Sequence, residues 1–135
     1  MKTLNTEILN HDNDVDILHK YNSIELKGWV NQLQYIDKEV DKLLNLYAQS
    51  IQNEEIPESV LTLFSKRKEA NKQLYNTVLK YANTYNKVVE CDDIQCDIVF
   101  LGEYERLRKS YQYHLDKYQR LKDNLYDRVL PKFQV

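Results

Sequence analysis

Hydrophobic residues recur along this chain at alternating steps of three and four. From Leu26 they run through Trp29, Leu33, Ile36, Val40, Leu43 and Tyr47 without a miss, the seam of a helix that packs against other helices. Val30, Leu44 and Ile51 widen the stripe, and Asn22 with Glu25 three residues on makes a capping-box-like start. The pattern predicts a helix over 23–52. After a polar break, Pro57 suits the first turn of the next helix, where its missing N–H has no partner to lose. That helix is predicted over 57–90, with a seam of Val60, Phe64, Arg67, Asn71, Leu74, Val78, Tyr81, Tyr85 and Val88. Asp92 or Asp93 can cap a third helix over 93–130, whose seam reads Tyr104, Leu107, Tyr111, His114, Tyr118, Leu121 and Leu125 before Pro131.

Residues 1–22 carry only Leu4, Ile8, Val15 and Leu18 at irregular spacing and are predicted to be a short helix or an arm. Period-2 alternation is missing, so no sheet is expected. Short connections force sequential helices to run antiparallel. The 135 residues are therefore expected to form one all-α domain, an elongated antiparallel bundle of three long helices with coiled-coil-like seams and an N-terminal arm.

Trp29, Leu33, Tyr35 and Glu39 form a Trp-x3-Leu-x-aromatic-x3-Glu pattern. This run, with the tail from Leu107-Arg108 through Leu121-Lys122 to Val129-Leu130, resembles short, uncharacterised bacterial helical proteins over about a third of the chain. The resemblance implies a helical bundle of similar size and implies no site.

Composition removes several classes of activity. Gly28 and Gly102 are the only glycines. A dinucleotide fingerprint needs three glycines within six residues, and a phosphate-cradling P-loop and the nucleophile elbow of serine hydrolases each need two only a few residues apart. Gly28 is expected to permit close backbone approach beside Trp29. Asp12, Asp14 and Asp16 alternate as a calcium loop begins, but Ile17 and Ser23 stand where such a loop needs Gly and a bidentate Glu. A bundle di-metal site needs Glu-x-x-His on two helices; the nearest sequence is Asp16-x-x-His19, once. Cys91 and Cys96 have neither zinc-knuckle nor redox spacing and are expected to be incidental thiols. No metal, no cofactor and no catalytic residue is expected, and so no enzyme.

Charge is uneven. Residues 1–60 hold five Lys or Arg against eleven Asp or Glu, and residues 98–135 hold eight against five. The simplest consequence is an acidic helix docked on a more basic one in the same molecule. Basic stretches at Lys66-Arg67-Lys68 and from Arg106 to Lys122 are interleaved with tyrosines, yet Glu69, Glu103, Glu105, Asp116 and Asp123 lie at pairing distance. A salt-bridged face is favoured over nucleic-acid binding. The longest wholly apolar run, Ile98 to Leu101, is far below the ~20 residues of a membrane span. The opening residues lack the apolar block of a secretory signal. A cytoplasmic protein without membrane contact is expected.

Two features remain. Of the eleven tyrosines, Tyr47, Tyr81, Tyr85, Tyr104, Tyr111 and Tyr118 fall on the seams and are expected in the core, the favoured reading; as the alternative, Tyr35, Tyr113 and Tyr126, beside or off the seams, are candidates for an interaction surface. The seams also break together. With the second turn near residue 91 or 92, Asn71 stands level with Tyr111, one turn from His114, and Arg67 with Asp116. The first turn, near residue 54, sets Asn71 level with Asp37 and Arg67 with Asp41. Asp37, Arg67, Asn71, Tyr111 and His114 thus form a candidate interior polar layer. It would either fix register or bind a small polar ligand or sense pH through His114. The expected function is contact with another protein, as adaptor, assembly component or regulator, in a homodimer or hetero-complex. The polar layer as a ligand or pH site is the alternative, and RNA binding by a basic face is the third possibility.

Overall fold

A computed structural model of the chain describes residues 14–52, 57–88 and 94–133. They form three helices: α1 (Asp14–Gln52), α2 (Glu58–Val88) and α3 (Ile94–Phe133). No strand occurs among the described residues. α1, with 39 residues, and α3, with 40, each reach about 60 Å at 1.5 Å per residue. The fold is the all-α bundle that the seams predict. No helix of the described residues is long and apolar enough to cross a membrane.

Direction follows from the cross-helix pairs. Leu33 meets Asn71 while the later Asp41 meets the earlier Lys68, so α1 and α2 are antiparallel. Tyr81 meets Phe100 and Asn71 meets His114, so α2 and α3 are antiparallel too. α1 and α3 run in parallel: Glu25 with Tyr104 and Glu39 with Tyr118 are both separated by 79 residues.

Most seam positions among the described residues are buried, while Tyr47, Arg67, Leu74, Tyr81 and Leu121 are half-buried. Leu26, Trp29, Leu33, Ile36, Val40 and Leu43 on α1 all lie in the core, as do Val60, Phe64 and Val78 on α2 and Tyr104, Leu107, Tyr111, Tyr118 and Leu125 on α3. They divide into two clusters. One gathers Leu26, Trp29, Leu33, Val78, Tyr104, Leu107 and Tyr111 near the starts of α1 and α3. The other gathers Ile36, Val40, Leu43, Phe64, Tyr118 and Leu125 with Val60 and Leu61 at the far end. Half-buried Leu115 packs against both.

The ends differ from expectation. α1 begins at Asp14, so residues 14–22 are its first turns and not a separate element. His19, Asn22 and Ser23 are buried on the face that continues into Leu26, and bundle packing carries the helix through the expected start. Asn22 is therefore no N-cap, and the Glu25 carboxylate reaches across to α3 instead of back to residue 22. Pro57 stands just before α2, where its carbonyl accepts from the Val60 N–H at 3.0 Å. α3 continues to Phe133, past the expected stop before Pro131. Residues 1–13, Cys91 and the expected cap at Asp92 or Asp93 lie outside the described residues.

Gly28 also corrects a prediction. It is exposed, and a Cβ built there meets nothing within 4 Å, so no backbone approaches it closely. Its cost as a mid-helix glycine is not offset by packing. Gly28→Ala is expected to stabilise the protein by about 0.5–1 kcal/mol, measured as a higher urea midpoint at unchanged slope; a lower midpoint would contradict the open space around it.

Candidate functional site

Between the two apolar clusters lies a buried polar pair. Asn71 is completely buried and His114 nearly so. The Asn71 side-chain amide donates from Nδ2 to the Leu33 carbonyl at 2.8 Å. That bond orients the amide and leaves Oδ1 toward His114, whose Nε2 lies 2.8 Å away. Since Oδ1 can only accept, Nε2 carries the proton, and the imidazole is the Nε2–H tautomer. Its Nδ1 is buried without a partner. Burial, with the nearby Arg67 charge adding to it, lowers the His114 pKa to about 4. The ring is thus neutral through the physiological range and acts as a hydrogen-bond donor between helices.

The five expected members of the layer are placed differently. Asn71 and His114 bond directly. Arg67 is half-buried at the rim of a cleft between α2 and α3, which it lines with Asp116. Asp37 opens onto a different cleft, between α1 and α2, whose lining includes Asn71. The His114 shift is caused by burial and Arg67, and Asp37 takes no part in it. Asp41 pairs with Lys68 and not with Arg67. Tyr111 is buried one turn from His114, but its ring stacks on Trp29 at 4.8 Å and belongs to the apolar cluster. Burial, and then the Glu25 charge, push its hydroxyl above the usual tyrosine pKa.

The tyrosines likewise divide. Tyr35 and Tyr113 are each 59% exposed. Tyr126 is not on that surface: it packs against the apolar cluster that holds Tyr118 and Leu125. Leu63 and Leu79, both off the seams, are exposed as well.

A second constellation, not foreseen from the sequence, joins α1 to α3. Glu25 accepts from the Tyr104 hydroxyl and pairs with Arg108 at 2.9 Å, and the guanidinium sits 5.1 Å from the Tyr104 ring centre. Two heptads along, Glu39 accepts from the Tyr118 hydroxyl at 2.5 Å and from Lys122 at 2.8 Å, with the ammonium 5.2 Å from the Tyr118 ring centre. Each is a clamp in which a Tyr-x3-cation pair of α3 grips one carboxylate of α1. Burial works to raise the Glu39 pKa, but Lys122 and the hydroxyls of Tyr118 and Tyr35 outweigh it and hold the carboxyl below its usual value. Burial and then Glu39 hold the Tyr118 hydroxyl far above its own, so it remains a donor.

Glu39→Ala is expected to cost about 1–3 kcal/mol, because it strands the Lys122 ammonium and the Tyr118 hydroxyl in partly buried positions. A carboxyl with a depressed folded pKa contributes stability that is complete above its unfolded value, near 4.5, and lost as pH falls through the folded value. The variant should therefore converge on the wild type in acid. Urea titrations at pH 7 and below pH 4 check both parts, and a gap that persists in acid contradicts the clamp.

The repeated spacing of Glu25 and Glu39, of Tyr104 and Tyr118, and of Arg108 and Lys122 is visible in the sequence. What was missing is the parallel register of α1 on α3, without which equal spacing has no meaning.

Among the described residues no group of three or more His, Cys, Asp or Glu could hold a metal ion. The described residues form an antiparallel three-helix bundle in which the Asn71–His114 pair is buried and Glu25 and Glu39 are each clamped between α1 and α3. No protein family, curated protein or solved structure matches the chain.

Proposed function

We propose that this protein is a non-enzymatic helical bundle that works by contact with another protein. The observation that carries this is the contrast between a tightly packed interior and an exterior that leaves large side chains in water. Asn71 bonds to both the His114 ring and the Leu33 carbonyl and so ties the pair into the packing of the helices, with His114 Nδ1 the one ring nitrogen left without a partner. Outside, Tyr35, Tyr113, Leu63 and Leu46 stand exposed. Large, rigid side chains of this kind are expensive to leave in water and lose little entropy when an interface orders them.

The polar pair favours register over sensing. A slipped packing of α2 on α3 would bury Asn71 and His114 apart, each unpaired. The test is recovery of the tagged chain from its own cells with in-cell cross-linking. A defined protein in fixed ratio, cross-linked through lysines near Tyr35 or Tyr113, supports contact as the function. A catalytic turnover of any metabolite by the purified chain would overturn it.

A further inference from the structure

α3 carries a third Tyr-x3-cation pair. Tyr113 and Lys117 repeat the spacing of Tyr104 with Arg108 and Tyr118 with Lys122, and the Lys117 ammonium lies 4.5 Å from the Tyr113 ring centre. The first two pairs each hold a carboxylate from α1. The third points elsewhere. It lines a cleft of about 440 Å³ formed by α2 and α3 alone, on a face α1 does not reach.

That cleft is basic with an apolar floor. Lys66 and Arg67 from α2 and Lys117 and Arg120 from α3 border it, over Leu63 and Leu121. Its one carboxylate, Asp116, is held by Arg120 at 3.0 Å. Tyr113 and Leu63 are 59% and 47% exposed within it.

We propose that this cleft docks an acidic helix of a partner protein, with a partner carboxylate gripped by Tyr113 and Lys117. The proposal rests on the contact function above and names its site and the chemistry of its occupant. The template is internal: both other pairs of this design on the same helix take a carboxylate from a helix lying alongside. Apolar residues of the docked helix, three or four positions from the acid, cover Leu63 and Leu121. A further acid meets Arg67, whose charge otherwise faces the neutral His114.

Two other occupants fit less well. The α1 carboxylates of a second copy that match the clamp, Glu25 and Glu39, are already engaged. Nucleic acid would need the Tyr113 ring face for stacking, and Lys117 covers it.

The test uses the full chain and three fluorescent probes in anisotropy titrations. One is a synthetic amphipathic helix with Glu at every seventh position beside a leucine seam. Another has Gln in place of each Glu, and the third is a single-stranded oligouridine. The acidic helix is expected to bind at least about tenfold tighter than the Gln helix. Lys117→Glu and Tyr113→Ala, both on the exposed rim, should each weaken it about tenfold without changing helicity. A Lys-for-Glu probe should recover binding to Lys117→Glu. Equal affinity for acidic and Gln helices, indifference to both substitutions, or binding of the oligouridine in preference would overturn the proposal. So would absence of binding below about 1 mM. If a cellular partner is found that Lys117→Glu does not release, the cleft is excluded and the contact function stands; if the chain has no partner at all, both fall.

Discussion

Trp29→Ala is expected to lower the stability of the bundle by about 3–5 kcal/mol, a large fraction of what a domain of this size has to lose. Trp29 is only 6% exposed. Its indole stacks on Tyr104 at 5.3 Å and on Tyr111 at 4.8 Å, with both rings within 20° of parallel. It therefore joins α1 to two positions of α3 about two turns apart, across one cluster. Removing it leaves a cavity among long helices that cannot collapse without shifting register, and it frees the two tyrosine faces at once. Urea unfolding followed by circular dichroism measures the loss. Tyr21→Ala is the control, since Tyr21 is 59% exposed, and it should change stability by less than about 0.5 kcal/mol. A loss below about 1 kcal/mol in Trp29→Ala would mean that the stack does not hold α1 to α3.

The second large effect is a coupling. Asn71→Leu strands the Nε2–H of His114, and His114→Leu strands Oδ1 of Asn71, in a region closed to water. Each single change is expected to cost about 2–3 kcal/mol. The double change removes both partners together and should cost close to nothing or stabilise, so the two costs do not add. The double variant should also lose uniqueness, with more than one assembly state on sizing, because leucine packs in slipped registers that the polar pair forbids.

The same pair has a pH signature. The folded pKa of His114, about 4, lies below its ordinary 6.5, so the unfolded chain binds a proton more readily between those values. Stability is therefore complete above pH 6.5 and falls as pH drops toward 4, by up to about 3 kcal/mol from this group. The difference between wild type and the double variant isolates it from the carboxylates. Parallel stability curves from pH 7 to pH 4 would show that His114 is hydrated.

Most of the fold can be read from the sequence because seam residues report burial directly. Every seam residue of α1 from Leu26 to Leu43 is buried, and the hairpin arithmetic that set Asn71 one turn from His114 places two residues that do bond. Three features escaped it for physical reasons. The start of α1 lies earlier than the sequence suggests because His19, Asn22 and Ser23 look like surface and cap residues, while their burial is conferred by the other helices. Tyr111 shares its level with the polar layer, whereas aromatic packing on Trp29 decides where its ring goes. The clamps at Glu25 and Glu39 needed the parallel pairing of α1 with α3, which follows from closure of the bundle and from neither hairpin alone.

A protein that works by contact must be found in company. The direct measurement is the native mass of the chain, isolated gently from its own cells and diluted over about a hundredfold range during light scattering. A complex heavier than the 16.2 kDa of one chain, with a second protein or a second copy in fixed ratio, is the expected result. A particle of 16.2 kDa at every concentration, with nothing co-purifying, would contradict contact as the function.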